Sequence, residues 1–305
     1  MNKLEAKKQP RRKKRSVDIF LKLGILLLFL TGIIIMFYPD IANWFAGRSH
    51  AGLIDQYQRT IDELPDEIID LHFERARRYN NSLVGGLIDD PFIAGSGLVV
   101  PTDYYEILNI NNTMGIIEIP AINVRVPIFH GVSDEVLMRG VGHISQTPFP
   151  IGQIGKHAVL TGHTGIPSSR LFTDLELLAI GDIFTISILN EHFVYQVDQK
   201  TVVLPHEISE LRNIAGEDLV TLVTCTPYAI NSHRLLVRGV RIHDEQEIEN
   251  VVIETIITQS VKNWRVLFIT GIAVLLILYW IFLLLMRIVK RRKHYSNNPQ
   301  LHENQ

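Results

Sequence analysis

The sequence predicts a mainly-β domain closed into a barrel, with helices before it and an apolar segment of membrane-spanning length on either side. Three observations predict it. From about Gly115 to Ile242, short runs alternate apolar and polar residues with a period of two, the pattern of strands with one buried face. Few helical stretches separate these runs, which favours a closed barrel over a parallel α/β sheet. Outside them lie two apolar runs of about 20 residues, the length a helix needs to cross a bilayer, each flanked by basic residues.

The elements follow in order along 305 residues, enough for one or two domains. Residues 1–18 are a basic tail carrying Lys3, Lys7, Lys8, Arg11, Arg12, Lys13, Lys14 and Arg15. Residues 19–38 form the first predicted transmembrane helix, interrupted only by Lys22, whose long side chain reaches the headgroups from the edge of the span. A cleaved signal peptide is the competing reading. Ser49-His50-Ala51 is a small-x-small site, but it lies too far beyond the apolar run, so a retained anchor is favoured. Residues 39–86 read as helical, because Ile54, Tyr57, Ile61 and Leu64 recur at spacings of three and four, as do Ile69, Phe73 and Ala76. Pro65 ends the first of these helices, and Asn80, Asn81, Gly85 and Gly86 break the second. Residues 87–100 form a loop.

Residues 101–243 make the barrel. Ile122, Val124, Val126 and Ile128 alternate with Asn123, Arg125 and Pro127. Further strands are predicted at His157 to Thr161, Asp182 to Leu189, His192 to Val203, Leu219 to Cys225 and Arg234 to Ile242, with Asn190-Glu191 as a hairpin turn. Residues 244–264 are an acidic, Ile- and Val-rich helical stalk, residues 265–286 the second transmembrane helix, and residues 287–305 a second basic tail with Arg287, Lys290, Arg291, Arg292 and Lys293. Because Lys and Arg stay on the cytoplasmic side, both termini are expected inside and the barrel outside the cell, on a two-pass cell-membrane protein. The stretch between the apolar runs is net acidic by about a dozen charges, the opposite of a nucleic-acid-binding body.

The single cysteine, Cys225, cannot form an intramolecular disulfide, and an idle exported thiol is exposed to oxidation. It ends one predicted strand and Arg234 begins the next. If those strands pair antiparallel, the two side chains share one end of the sheet, on strands about 4.8 Å apart. A guanidinium there supplies an always-charged donor to a thiolate, or to an oxyanion formed by its attack on a carbonyl. His163 lies in Thr161-Gly162-His163-Thr164-Gly165, directly after a strand, where flanking glycines let backbone or ligand come close. A histidine beside a thiol is the usual means of activating it. Each residue also has an ordinary reading: a small buried hydrophobe, a strand-end ion pair, a surface histidine among 12.

Taken together, Thr161 to Gly165, then Leu222-Val223-Thr224-Cys225-Thr226-Pro227-Tyr228, then Asn231-Ser232-His233-Arg234-Leu235 resemble the sortase family, and within it the pilus-assembly (class C) sortases of Gram-positive bacteria. The resemblance runs from about Asp55 to Ile242 and includes Pro127 to Gly131, Leu171-Phe172-Thr173 and Leu235 to Gly239. It implies a β-barrel of about eight strands, with Cys225 as nucleophile, His163 as general acid/base and Arg234 as substrate and oxyanion ligand. It also implies cleavage of an LPXTG-like sorting signal between Thr and Gly, a thioester on Cys225, and transfer to a lysine amine of another pilin subunit, with no metal or organic cofactor. Asp90-Pro91-Phe92 is similar to the lid motif of that class, which sets Asp90 near Arg234 and Phe92 over Cys225; the ordinary reading is an Asp-Pro turn. The second anchor also resembles that class.

Other readings fit less well. A papain-type peptidase carries its Cys before its His, a caspase-like enzyme needs Gln-Ala-Cys, and an L,D-transpeptidase needs Ser-x-Gly-Cys. A housekeeping-type sortase acting on peptidoglycan remains the alternative within the family. A non-catalytic assembly scaffold is the alternative outside it, and the presence of Cys225, His163 and Arg234 argues against that.

Overall fold

The computed structural model describes residues 13–83, 103–166, 169–207 and 211–244, together with positions 271, 275 and 279. The loop 87–100 with Asp90, Pro91 and Phe92, the stalk 244–264 beyond Asp244, and most of the second apolar run lie outside the described residues. Within that run, Gly271, Leu275 and Tyr279 are helical. Among the described residues one helix is long and apolar enough to cross a membrane.

That helix is α1, Lys13–Asp62. It passes through Pro39 without ending, so the predicted anchor and the first helix beyond it are one continuous element. Between Gly24 and Ile41 its described side chains are all exposed. Its second half docks through Ile54, Tyr57 and Ile61, the 3–4 spacing seen in the sequence. Tyr57 fixes the dock: its hydroxyl donates to the Met114 carbonyl at 3.0 Å and accepts from the Leu189 amide at 2.9 Å. Helix α2, Asp66–Ser82, starts directly after Pro65, with Asp66 and Glu67 favourably disposed at its positive end. Asn80 does not break it. The Asn80 side chain is buried and clamps Phe149, accepting from its amide at 2.7 Å and donating to its carbonyl at 3.1 Å. An asparagine with both ends satisfied by another segment has no reason to turn back on its own backbone.

The barrel has eight strands: β1 (Gly115–Ile119), β2 (Val124–His130), β3 (Val141–His143), β4 (Lys156–Thr161), β5 (Ile183–Ile188), β6 (Glu191–Val203), β7 (Asp218–Thr226) and β8 (His233–Arg241). It closes in the order β1-β2-β3-β4-β7-β8-β6-β5. The pairs β2–β3 and β4–β7 are parallel and the rest antiparallel. A short helix, α3 (Asp134–Arg139), makes the β2–β3 crossover and is capped by Ser133. Two local predictions shift. Residues Pro120–Ile122 form a 3₁₀ turn ending in left-handed Asn123, so β2 starts at Val124 rather than Ile122. The β5–β6 turn is Leu189-Asn190 rather than Asn190-Glu191, because Leu189 takes the positive φ and Glu191 already pairs with Ile188.

The main core fills the barrel and continues under α1 and α2, with Ile117, Phe172, Phe184, Tyr195, Leu222 and Val237 among its members. A smaller cluster gathers Ile144, Val159, Val203, Leu211, Val223 and Leu236. On β7, Leu222 belongs to the first cluster and Val223 to the second, so the smaller cluster lies on the outer face. A β-bulge at Asp198 lets β6 serve both. Val197 pairs with Gly239 and Gln199 with Arg238, so Val197 is in the barrel core while Val203, six residues on, packs in the outer cluster.

Candidate active site

Cys225 pairs directly with Arg234 across the β7–β8 ladder. Directly opposed residues share a face, and this is the outer face, two residues along from Val223 and Leu236. On the other side of β7, parallel β4 pairs Thr161 with Val223. The ladder continues past the strand: the Gly162 amide donates to the Val223 carbonyl at 3.1 Å, and the Thr224 hydroxyl donates to the Gly162 carbonyl at 2.7 Å. His163, two residues past Thr161, is therefore level with Cys225, two past Val223. The strand order β4-β7-β8 sets the three predicted residues side by side, with the thiol in the middle.

Each neighbour is held by backbone. Arg234 is buried, and its Nη1 donates to the carbonyls of Asn231 and His233, both at 3.1 Å, so the loop after Cys225 fixes the guanidinium. The His163 segment is held from below by Leu171-Phe172-Thr173. The Phe172 amide donates to the His163 carbonyl at 3.2 Å, and the Thr173 hydroxyl accepts from the Gly165 amide at 3.0 Å. Gly162 is required here, because a Cβ would stand 2.8 Å from the Phe172 ring. Gly165 has a φ of 75°, and a Cβ there would stand 3.2 Å from the Tyr228 ring, so the loop after β7 leans over the histidine segment.

His163 is half-buried, and desolvation lowers its pKa from the ordinary value, while the Asp134 carboxylate of α3 pulls the other way. The burial effect is the larger, so the neutral imidazole is favoured. His157, also on β4, has a different task. Its Nδ1 donates to the Arg212 carbonyl at 2.9 Å and its Nε2 accepts from the Thr221 hydroxyl at 2.7 Å, pinning the β6–β7 connection over the outer cluster. Among the described residues no group of three or more His, Cys, Asp or Glu side chains is arranged to hold a metal ion.

The predicted lid residues Asp90, Pro91 and Phe92 are not among the described residues, so the site consists here of Cys225, His163 and Arg234 with their supports. Those supports carried no assigned role in the sequence. Thr224 and Phe172 act through a hydroxyl and a ring edge on a distant segment, and Asn231 through a carbonyl that any residue has. Only the glycines around His163 hinted that something packs there.

A sortase-domain family model matches residues 117–242, which is most of the barrel. Sortase C-1 of Streptococcus pneumoniae superposes with a TM-score of 0.60 at 40% identity, covering 63% of this chain and 99% of that one. Sortase C1 of Streptococcus agalactiae gives 0.59 at 41% identity over 64% and 97%. This chain belongs to the sortase family. Its barrel is of the class C, pilus-type kind, and sortases are cysteine transpeptidases. Sortase D of Bacillus subtilis is 35% identical over 124 residues, 38% of this chain and 55% of that protein. Against that curated sortase, then, the likeness spans little more than half the relative's length.

Proposed function

We propose that this sortase is a membrane-anchored pilin transpeptidase in which Cys225 attacks the Thr carbonyl of an LPXTG-like sorting signal. The observation that carries the reading is the adjacency just described: the only thiol of the chain stands between a half-buried histidine and a buried, backbone-anchored arginine. The neutral imidazole of His163 takes the thiol proton as the sulfur–carbon bond forms. The guanidinium of Arg234 stabilises the oxyanion of the tetrahedral adduct. As the Thr–Gly bond breaks, His163 returns that proton to the departing amine, leaving an acyl thioester on Cys225. A lysine amine of a second pilin subunit then attacks the thioester. His163 accepts the proton lost by the amine and passes it to the departing sulfur, so an isopeptide bond forms and the thiol is restored. The apolar half of α1 supplies the anchor, with the barrel on the outer side of the membrane. The class C likeness favours lysine as acceptor over a peptidoglycan amine. Asp90, Pro91 and Phe92 form the lid in this reading.

Intact-mass spectrometry tests it directly. On mixing with an LPXTG peptide, the protein should gain the mass of the peptide through Thr, and the gain should be absent in Cys225→Ala. Adding a lysine-bearing pilin domain should discharge the adduct. No adduct with any sorting-signal peptide would instead support a scaffold, and discharge only by peptidoglycan amines would support a housekeeping role.

A further inference from the structure

Residues 41–48 of α1 present a surface that neither the barrel nor the site uses. Ile41, Trp44, Phe45 and Arg48 fall at i, i+3, i+4 and i+7, one face of the helix. The three apolar side chains are 52%, 55% and 62% exposed. Trp44 and Phe45 meet edge to face with centroids 4.9 Å apart, and the Arg48 guanidinium lies over the Trp44 ring at 4.8 Å. Two large aromatic rings left bare in water are unfavourable by their buried-area value. Their position explains them, because they follow directly on the apolar half of the same unbroken helix, whose described side chains are also exposed. Indole and phenyl rings just past an apolar span, with an arginine at their outer edge, suit the boundary between acyl chains and headgroups.

A second element meets α1 just beyond this surface. His50 is buried, and its Nε2 donates to the carbonyl of Arg139 at 3.0 Å, joining α1 to the last turn of α3. At 1.5 Å of rise per residue, His50 is only about 9 Å beyond Trp44 along the helix. Beside it, Met138 is 52% exposed, and the Arg139 guanidinium lies over the Phe129 ring at 5.0 Å. A bare methionine and an arginine within about 9 Å of the aromatic stripe along the helix axis extend the same chemistry from α1 onto the β2–β3 crossover.

We propose that Trp44, Phe45 and Arg48 of α1, with Met138 and Arg139 of α3, form a rim that seats the barrel on the headgroup layer of the membrane. The partner is the lipid interface, which takes the apolar side chains into its upper acyl region and the two guanidinium groups among its phosphates. The inference rests on the anchored reading above and adds an orientation to it. Strand β3 begins two residues after Arg139 and pairs Gly142 with Thr161, so the rim is one strand away from the His163 segment. The site is thus held at a fixed height above the bilayer instead of swinging on a tether.

Depth-resolved fluorescence of the full chain tests this. Replacing Trp264 and Trp280 with Phe leaves Trp44 as the one indole among the chain's three. The protein is reconstituted into phosphatidylcholine–phosphatidylglycerol vesicles, and flotation reports whether it is anchored. Trp44 should emit to the blue of an exposed indole and be quenched most by lipids spin-labelled at the headgroup or upper chain. A fluorophore on Met138→Cys, in a Cys225→Ala background, should be quenched by the headgroup label as well. If the protein floats but Trp44 stays open to aqueous iodide, the rim is overturned and the anchor stands. Quenching of Trp44 without quenching at position 138 overturns the seating of the barrel. Failure to float overturns anchor and rim together.

Discussion

Strands β7 and β8 each have two faces, and the two faces obey different rules. Inward, Val220, Leu222, Leu235 and Val237 are buried to within 3% and belong to the main core. Outward, the same strands carry Thr221, Val223, Cys225, Arg234 and Leu236, where a hydroxyl, a thiol and a guanidinium alternate with a six-residue apolar cluster. The inner face is interchangeable in chemistry and strict in volume. The outer face is strict in chemistry, and of these five side chains Cys225 alone is partly open. Stability and reaction are therefore separated by one residue of strand register.

Substitutions should separate along the same line. Cys225→Ala should remove acyl transfer altogether, a loss of about 10⁴-fold or more by comparison with other nucleophile deletions. Its urea midpoint should be unchanged, and a large drop would mean that the thiol is a packing residue. On the opposite face, Leu222→Ala should cost about 2–5 kcal/mol of stability by cavity formation, measured by urea unfolding. Adduct formation should persist where that variant is folded. Arg234→Lys should lose about 10²–10³-fold in the acylation rate, because a point charge cannot hold two carbonyls and still face the oxyanion. Near-normal turnover by Arg234→Lys would remove that role. Thr224→Val crosses the division. It should lower stability by about 1 kcal/mol and slow acylation as well, since the bond it breaks ties Gly162, and with it the His163 segment, to β7.

A separate effect concerns pH. His143 is fully buried, its Nε2 donating to the Pro148 carbonyl and its Nδ1 accepting from the Tyr104 hydroxyl, each at 2.9 Å. Burial pushes its pKa down to about 3, and that of His130 to about 4. Below about pH 6.5 the unfolded chain takes up protons at both positions that the fold refuses, so stability falls until the pH reaches those lower values. Asp218 has the opposite sign. Burial raises its pKa to about 6, so its contribution grows as pH falls from 6 towards the ordinary carboxylate value. His50, His72, His157 and His163 are lowered by burial as well, so the histidines outweigh the one raised carboxylate and predict a net loss on acidification; a urea midpoint that is flat from pH 7 to pH 4 would contradict it.

Much of this division was legible before any coordinates. Cys225 at the end of one predicted strand and Arg234 at the start of the next needed only antiparallel pairing to meet, and the ladder pairs them. His163 was legible as a residue just past a strand, but its neighbour was not, because parallel pairing of β4 with β7 leaves no trace in local sequence. Two strands were harder to read. Strand β1 buries both Ile116 and Ile117, one on each face, so it does not alternate. Strand β3 is three residues long, too short for any period to show. Asn80 looked like a helix breaker because the partner that satisfies it, Phe149, is 69 residues away.

The bulge at Asp198 has a consequence for how such a chain can change length. Because one inserted residue moves the rest of β6 from the barrel interior to the face bearing Val203, a single-residue deletion there would not merely shorten a strand. It would exchange the two sides of residues 199–203, turning Val203 inward and bringing its neighbours out beneath Arg234. Lengthening by two would leave both faces as they are. Drift by pairs is thus tolerable at this position, while a single codon lost or gained rewrites the outer face beside Arg234, and the strand carries an odd-and-even memory that no individual side chain records.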